Sequence, residues 1–201
     1  MIKYAITGGI ASGKTTTLSL FKLLGIKTIN TDILVKKLML NEAIQRKILN
    51  KYPNIKSPSN DLDRKKLSNL AFENPSLLNF LEKVFHPKLD KIRKHQIQKA
   101  NRNYLKGICF EVPLLFEKKL EKEFDIVVVT FCSKQIQAQR ALSRENISEI
   151  KLKQILDKQT KHIERIKKAH FTINTGIGKN YTVSKIKNIL NKTLRKKCVK
   201  L

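Results

Sequence analysis

The feature that most constrains this chain is a glycine-rich stretch close to its first residue. Residues 8–15 read GGIASGKT and match the pattern G-x-x-x-x-G-K-S/T at every defined position. An apolar segment at residues 2–7 precedes the motif, and helical spacing follows it from Gly13 to Leu24. A strand, a glycine-rich turn and a helix N-terminus in this order form a nest of backbone N–H groups that binds phosphate. The motif therefore predicts a site for a nucleoside triphosphate.

The residue types within this motif fit the chemistry of a triphosphate. Glycine permits the backbone angles that direct consecutive N–H groups inward. Lys14 supplies a mobile cation for the β- and γ-phosphates, and Thr15 supplies a hydroxyl for Mg²⁺. The alternative is an accidental glycine-rich turn, which the strand before the motif and the helix after it make the weaker interpretation.

Apolar segments and helical patterns alternate along the rest of the chain. Further strands are expected at residues 26–31, 107–112, 125–131 and 170–173. We expect helical segments at residues 32–52 and 133–168, and we expect Pro87 to begin a long basic helix that ends near Tyr104. This alternation predicts an α/β fold with a parallel five-stranded sheet flanked by helices.

Composition excludes several classes of protein. Of the 201 residues, 41% are hydrophobic, which suffices for a core. No apolar run approaches the roughly 20 residues that a membrane-spanning helix needs. The glycine pair follows Met1 so closely that no signal peptide is expected. The cysteines at positions 109, 132 and 198 lack the spacing of metal ligands and are expected to be reduced thiols of a cytoplasmic protein.

The net charge of the chain has two interpretations. The 42 Lys and Arg residues exceed the 16 Asp and Glu residues, giving a formal net charge of +26, as is typical of nucleic-acid-binding proteins. The excess is mostly lysine, with 34 Lys against 8 Arg, and it accompanies 15 Asn and 23 Ile residues. Since all three over-used residues have AT-rich codons, a biased genome could place lysines on any solvated surface. Arginine, which binds phosphates and bases in bidentate geometry, is scarce, so we expect no specific nucleic acid partner.

Among proteins with this phosphate loop, the other motifs favour a small-molecule kinase. The Asn191–Leu194 segment reads NKTL and lacks the acidic residue of a guanine-reading N-K-x-D motif, and no D-x-x-G occurs. A motor-type ATPase would be longer and would carry a strand that ends in an acidic pair. A kinase needs a carboxylate that orients or deprotonates the accepting hydroxyl. Asp32 follows the second strand, where such a sheet binds ligands, although it could instead cap the next helix.

The order and spacing of these and later motifs resemble those of the dephospho-CoA kinase family. The elements that carry the resemblance are residues 7–15, Leu24–Ile26, Asp32, Leu62–Arg64, residues 71–75, His86-Pro87, Pro113–Glu117, and Gln137 with Arg140 and Arg144. The phosphate loop alone identifies only a superfamily, whereas the Pro-Leu-Leu-Phe-Glu and His-Pro elements single out this family. Together the elements extend from residue 1 to about residue 176.

The resemblance implies an activity and a domain organisation. The activity is ATP-dependent phosphorylation of the 3′-hydroxyl of dephospho-CoA, with Mg²⁺, giving CoA and ADP in the last step of coenzyme A biosynthesis. The implied fold is a P-loop kinase domain whose core comprises about 1–32, 105–132 and 169–201. A helical substrate lobe would occupy about 33–104, and a lid would occupy about 133–168. ATP and dephospho-CoA are the implied partners, no membrane is expected, and the oligomeric state is unknown.

The resemblance also implies roles for individual residues. Asp32 would accept or orient the 3′-hydroxyl, and Lys14 would stabilise the phosphates as a second catalytic residue. The residues implied to bind ATP are Gly9, Ile10, Ala11, Ser12, Gly13, Lys14, Thr15, Thr16, Arg140 and Arg144. The residues implied to bind dephospho-CoA are Asp32, Arg64, His86, Pro113 and Leu114. Thr15 and Glu111 would hold the metal.

Several of these residues also have a purely structural interpretation. Arg140 and Arg144, four residues apart on one predicted helix, could form a solvated basic face. Arg64 could pair with the acidic residue before it. His86 could serve the fold alone, and Glu111 could pair with a lysine. A nucleoside or nucleotide kinase and a nucleic-acid-associated ATPase therefore remain the alternative functions.

The chain departs from the family pattern at two places. The family often shows Asp-x-Asp after the second strand, whereas this chain has Asn30-Thr31-Asp32. The family tends to show Ala-Asp followed by Ile-Asp-Asn near the last strand, whereas this chain has Ala169-His170 and then Ile173–Gly176. The second stretch commonly lies beside the adenine of ATP, so the contacts with the base are the least defined part of the predicted site.

Overall fold

Five parallel strands form one sheet in the computed structural model, which describes residues 1–59, 61–145 and 147–198. The strands are β1 (Ile2–Gly8), β2 (Lys27–Asn30), β3 (Gly107–Glu111), β4 (Ile126–Phe131) and β5 (Phe171–Asn174). Their order across the sheet is β2-β3-β1-β4-β5. The predicted parallel five-stranded sheet is confirmed, and the strand that precedes the glycine-rich motif lies at its centre.

Nine helices belong to the described part of the chain. They are α1 (Lys14–Leu23), α2 (Thr31–Leu38), α3 (Glu42–Lys51), α4 (Arg64–Glu73), α5 (Pro75–Arg102), α6 (Lys134–Leu142), α7 (Glu149–Lys158), α8 (His162–Lys167) and α9 (Lys179–Cys198). Short 3₁₀ turns at Pro53–Ile55 and Glu121–Glu123 complete the secondary structure. Among the described residues, no helix has both the length and the apolar character needed to cross a bilayer.

The chain divides into two compact units. The first unit contains residues 1–30 and the chain from residue 97 onward, so it holds the whole sheet. The second unit contains residues 31–96 and has a core of its own, in which Ile44, Ile48 and Leu67 are buried. Residues 199–201, which belong to the predicted kinase core, lie outside the described residues.

The central strand is buried on both of its faces. Tyr4 and Ile6 point toward a cluster that includes Phe21 of α1 and Ile186 of α9. Ala5 points to the opposite cluster, which contains Phe110 of β3 and Val127 and Val129 of β4. Alternating side chains of one strand thus enter two separate cores, as is usual for a parallel sheet covered on both sides.

The register of the sheet brings several strand ends to one edge. Glu111 at the end of β3 pairs with Ile6 of β1 and with Asn30 of β2. On the other side of β1, Gly8 pairs with Thr130 of β4. Since parallel strands all present their carboxyl ends at the same edge, these residues lie around the start of the glycine-rich motif.

Pro87 does not begin a helix, contrary to the prediction. It lies inside α5, which continues unbroken over 28 residues. Proline removes one backbone hydrogen bond and normally ends or kinks a helix. Here Val84 and Phe85 before the proline are buried in the second unit's core, and Leu89 after it packs against the same cluster. Apolar contacts on both sides of Pro87 therefore hold the helix together.

The helical segments predicted at residues 32–52 and 133–168 are divided further. The first contains α2 and α3, and the Asn41 side chain between them caps α3 by accepting the N–H of Ile44. The second contains α6, α7 and α8, and α7 begins at a similar cap formed by Ser148. Cys109 and Cys132 have free thiols, as predicted, whereas the side chain of Cys198 lies outside what the structure describes.

A buried hydrogen bond between β1 and α9 gives a test of the fold. The Tyr4 hydroxyl lies 2.6 Å from Thr193 Oγ1, which itself donates to the Ile189 carbonyl, so Tyr4 is the donor. Burial raises the pKa of this tyrosine. We expect Tyr4→Phe to lower the free energy of unfolding by about 1 kcal/mol without changing kcat, as denaturant unfolding and kinetics would measure. The control is Tyr104→Phe, because Tyr104 is 94% exposed; equal stability of both variants would contradict the assignment.

Candidate active site

The glycine-rich loop between β1 and α1 has the backbone shape of a phosphate nest. Gly13 immediately precedes α1 with φ 85° and ψ 18°, in the left-handed region. Ala11 also lies in this region with φ 55°, which costs a residue with a Cβ about 1–2 kcal/mol. Residues of this conformation at the start of a helix direct backbone N–H groups toward a common point. The loop therefore has the geometry that phosphate binding requires.

Hydroxyl groups from the neighbouring strands hold the loop in this shape. The Ser12 hydroxyl lies 2.9 Å from Thr130 Oγ1, which donates to the Thr7 carbonyl at 3.2 Å. Thr175, which directly follows β5, donates from its Oγ1 to the Ser12 carbonyl at 2.9 Å. A Cβ at Gly13 would lie 2.9 Å from Thr175 Oγ1, so glycine is required there for space as well as for its φ angle.

Lys14 reaches back across the loop. Its Nζ donates to the carbonyls of Gly8 at 3.1 Å and of Gly9 at 2.9 Å. These contacts hold the ammonium group over the first residues of the loop. A cation at this position is suited to the terminal phosphates of a bound triphosphate.

Glu111, the last residue of β3, is a buried polar residue beside the loop. Its side chain is buried, and its Oε1 accepts a hydrogen bond from Thr15 Oγ1 at 3.0 Å. Its Oε2 accepts a hydrogen bond from Asn30 Nδ2 at 2.7 Å. Asn30 occupies the first position of the family's Asp-x-Asp pattern, so a neutral donor stands here in place of a second carboxylate.

The Thr15 and Glu111 pair fits a hard divalent cation. Hydroxyl and carboxylate oxygens are the ligands that Mg²⁺ takes, usually together with water and substrate phosphates. Within the described residues there is no group of three or more His, Cys, Asp or Glu side chains that could hold a metal alone. The donor set therefore suits a cation that arrives with a nucleotide rather than one enclosed by protein.

The structure separates the two predicted lid arginines. Arg140 on α6 donates from NH1 to Thr175 Oγ1 and from NH2 to the Thr175 carbonyl, each at 3.1 Å. Because Thr175 also donates a hydrogen bond to the Ser12 carbonyl, Arg140 acts on the loop through Thr175. The prediction that Arg144 shares the helix with Arg140 is wrong, since α6 ends at Leu142. The Arg144 N–H bonds the Ala141 carbonyl in a closing turn, and its side chain is exposed.

Three predicted substrate or catalytic residues belong to the second unit. Asp32 is the second residue of α2, inside its first turn, so the interpretation as a helix cap is wrong. Arg64 is exposed at the start of α4, where Asp63 accepts the Lys66 N–H at 2.9 Å and caps the helix. His86 is exposed on α5.

The other predicted substrate residues, Pro113 and Leu114, belong to the first unit. The Pro113 carbonyl accepts a hydrogen bond from Thr7 Oγ1 at 3.3 Å, which fixes the turn after β3 beside the start of the loop. Leu114 is 41% exposed and therefore available to a ligand.

Sequence reasoning singled out Gln137 only as part of the family resemblance and missed Gln159 and Arg165, which form with it a set of polar side chains beside the loop. Gln137 and Gln159 hydrogen-bond the backbone of Ile10, and Arg165, which is 7% exposed, bonds Gln159. The signal that could have found Arg165 is its residue type, because this chain uses Arg only 8 times against 34 Lys.

A cavity lies next to these residues. Its volume is about 690 Å³, and its walls include Gly9, Ser12, Gln137, His162 and Arg165. Burial lowers the pKa of His162, and the nearby Arg165 charge acts in the same direction. The cavity thus adjoins the loop, and its walls also contain the charged residues Lys134, Asp157 and Lys161.

Comparison with known proteins decides the family. The family model for dephospho-CoA kinase matches residues 2–179. A dephospho-CoA kinase from Agrobacterium fabrum is 34% identical over 192 residues, which are 96% of this chain and 98% of that protein. The chain belongs to the dephospho-CoA kinase family. The predicted family is confirmed, and the match includes the loop, Glu111 and residues 133–168.

Solved structures agree with this membership. A crystal structure from Thermus thermophilus has a TM-score of 0.81 and 25% identity, covering 96% of this chain and 97% of that one. A dephospho-CoA kinase from Campylobacter jejuni has a TM-score of 0.69 and 25% identity, covering 97% and 98%. The predicted P-loop kinase fold is confirmed. Family membership supports the predicted function, an ATP-dependent kinase that phosphorylates dephospho-CoA in coenzyme A biosynthesis, and ATP use implies a divalent cation.

The contrast between Arg140 and Arg144 can be tested by substitution. We expect Arg140→Ala to lower kcat/KM for ATP about tenfold to hundredfold, because it removes two charge-assisted hydrogen bonds beside the loop. We expect Arg144→Ala to have a smaller effect, since that side chain is exposed. Steady-state kinetics with varied ATP would measure both, with melting temperature as the control for folding. A larger loss for Arg144→Ala would contradict this ranking.

Proposed function

We propose that this chain transfers the γ-phosphoryl group of ATP to the 3′-hydroxyl of dephospho-CoA, with Mg²⁺ as the divalent cation. The observation that carries the proposal is the arrangement around the loop in a member of this family. A left-handed Gly13 opens α1, Lys14 lies over the first loop residues, and a buried Glu111 accepts the hydroxyl of Thr15. Phosphoryl transfer depends mainly on such positioning and electrostatic stabilisation.

In this proposal the loop binds the phosphates. Backbone N–H groups between Gly9 and Thr16 surround the β-phosphate, and Lys14 moves from the Gly8 and Gly9 carbonyls to the β- and γ-phosphates. Arg140 and Arg144 neutralise the remaining charge of the triphosphate. Thr15 and Glu111 would hold Mg²⁺, directly or through water, and the cation would supply charge neutralisation on the phosphates.

Asp32 is the proposed base. Its carboxylate accepts the proton of the 3′-hydroxyl while a bond forms between the 3′-oxygen and the γ-phosphorus. The bond between that phosphorus and the β,γ-bridging oxygen breaks, and ADP leaves with the electron pair. Arg64 and His86 would bind polar groups of dephospho-CoA, and Pro113 with Leu114 would contact its less polar parts. A carboxylate in this role contributes about 10²–10⁴ in rate.

The proposed organisation assigns each part of the chain to one task. Residues of about 33–104 form the substrate lobe, and residues of about 133–168 form the lid over ATP. The remaining residues form the core. We also propose that the enzyme acts in the cytoplasm, which agrees with the free thiols of Cys109 and Cys132.

One assay tests the substrate. The purified protein is incubated with ATP, Mg²⁺ and dephospho-CoA, and ADP release is followed, with adenosine, CMP and pantetheine as alternative acceptors. We expect ADP release with dephospho-CoA alone and a product that carries one new phosphate on the 3′-oxygen, as phosphorus NMR would show. Removal of the metal by a chelator should stop the reaction, and Mg²⁺ should restore it. Turnover with adenosine or CMP but not with dephospho-CoA would overturn the proposal.

The variant Asp32→Asn tests the base. Asparagine keeps the size of the side chain but does not accept the proton of the hydroxyl, so we expect kcat to fall about 10²–10⁴-fold. Affinity for ATP and the melting temperature should stay near those of the wild type. A kcat within a few-fold of wild type would remove Asp32 from the mechanism.

Lys14→Ala is the matched comparison for that variant. It removes a loop cation rather than the base, so we expect it to abolish turnover and to weaken ATP binding as well. Isothermal titration with a non-hydrolysable ATP analogue would separate the two variants. Equal ATP affinity in both would contradict the assignment of Lys14 to the phosphates.

A further inference from the structure

Both backbone polar groups of Ile10 are bound by glutamine side chains. Gln159 Oε1 accepts the Ile10 N–H at 3.1 Å, and Gln137 Nε2 donates to the Ile10 carbonyl at 2.7 Å. Gln137 lies on α6 and Gln159 follows α7, so two different segments hold the peptide groups on both sides of Ile10. These partners are chemically matched, because an amide oxygen faces the donor and an amide nitrogen faces the acceptor.

Arg165 fixes the orientation of Gln159. Its NH2 donates to Gln159 Oε1 at 3.2 Å and lies 3.9 Å from Glu117 Oε1. Glu117 Oε1 also accepts the Thr160 N–H at 2.8 Å, which ties the same segment to the turn after β3. With a cation beside it, only the oxygen of the Gln159 amide can face Ile10, since the amide nitrogen would meet two donors.

The same three side chains lie close to Gly9. A Cβ on Gly9 would lie 2.7 Å from Gln137 Nε2, 3.0 Å from Arg165 NH1 and 3.5 Å from Gln159 Oε1. A side chain at this position would therefore displace the ends of Gln137 and Arg165 from the places they occupy beside the loop. Gly8 differs, because a Cβ there would meet the Thr130 backbone carbonyl.

We propose that Gln137, Gln159 and Arg165 form a clamp on Ile10 that holds the first half of the phosphate loop in the shape that binds ATP. The three are positioning residues, since they act through the loop backbone. A loop held in its binding shape before the ligand arrives loses less conformational entropy on binding, which raises affinity. The inference rests on the proposed binding of ATP at this loop.

Single substitutions test the clamp through ATP binding. The variants are Gln137→Ala, Gln159→Ala and Arg165→Ala, and the control is Lys167→Ala, an exposed cation on the same helix as Arg165. Calorimetry with a non-hydrolysable ATP analogue, without dephospho-CoA, gives the affinity directly. We expect each clamp variant to bind about fivefold to tenfold more weakly, since each loses at least one hydrogen bond, and the control to bind as the wild type does.

Kinetics and a conservative variant separate positioning from a general loss of structure. The clamp variants should raise KM for ATP with KM for dephospho-CoA unchanged. Arg165→Lys should recover part of the affinity, because lysine keeps the charge but not the planar guanidinium. Melting temperatures identify any variant that fails to fold. Clamp variants that fold and bind the analogue as tightly as the wild type would overturn the proposal.

A double substitution tests the contact with Gly9 and is independent of the single variants. Gly9→Ala should weaken binding of the analogue, and adding Gln137→Ala should cost less in that background than in the wild type, because the new methyl group meets Gln137. Gly8→Ala provides the comparison, since the Thr130 backbone cannot be removed and Gln137→Ala should give no such relief. Additive losses at Gly9 would overturn the proposed clamp.

The outcome also distinguishes the clamp from the proposed reaction. If the wild type binds the analogue but does not phosphorylate dephospho-CoA, the acceptor is wrong, and weaker binding by the clamp variants still supports the clamp. If dephospho-CoA is phosphorylated and the clamp variants bind the analogue normally, the reaction stands and the clamp is wrong.

Discussion

The active site of this protein depends on hydrogen bonds that hold an irregular loop to the carboxyl edge of a parallel sheet. The loop contains two residues in the left-handed region, Ala11 and Gly13, and within it the Ser12 N–H donates to the Gly9 carbonyl at 3.3 Å. Side chains add further hydrogen bonds. Thr175 holds the Ser12 carbonyl, Thr130 lies against the Ser12 hydroxyl, and the N–H and carbonyl of Ile10 are bound by Gln159 and Gln137. The sheet is rigid, and these contacts fix the position of the loop relative to it.

The overall composition does not show which charged side chains lie around the loop. The formal net charge is +26, and the cations that contact the loop or its supports include Lys14, Arg140 and Arg165. Both arginines act on oxygen acceptors, Arg140 on Thr175 and Arg165 on Gln159, for which a planar guanidinium with several donors is better suited than lysine. The buried carboxylate of Glu111 accepts hydrogen bonds from Thr15 and Asn30, which places a negative charge beside the loop.

Sequence patterns predicted the fold and the loop because both depend on which residues follow one another over short stretches of the chain. The apolar segments at residues 2–7 and 107–112 became strands, and every defined position of the loop motif lies where the motif requires it. The errors arose where distant contacts override a local signal. Pro87 should interrupt a helix, but buried side chains on both adjacent turns keep α5 continuous. Arg144 follows Arg140 at helical spacing, but α6 ends between them.

The phosphate loop, the parallel sheet and the family could be predicted from sequence, because each is encoded by residues whose order and spacing along the chain set their geometry. The contacts that surround the loop could not be predicted in this way, because they form only when the chain packs. The pairing of Asn30 with Glu111, of Arg140 with Thr175 and of Gln159 with Ile10 joins residues separated by 81, 35 and 149 positions. No pattern along the chain specifies such pairs, since each depends on which strand ends and helices the packed core brings to the same edge of the sheet.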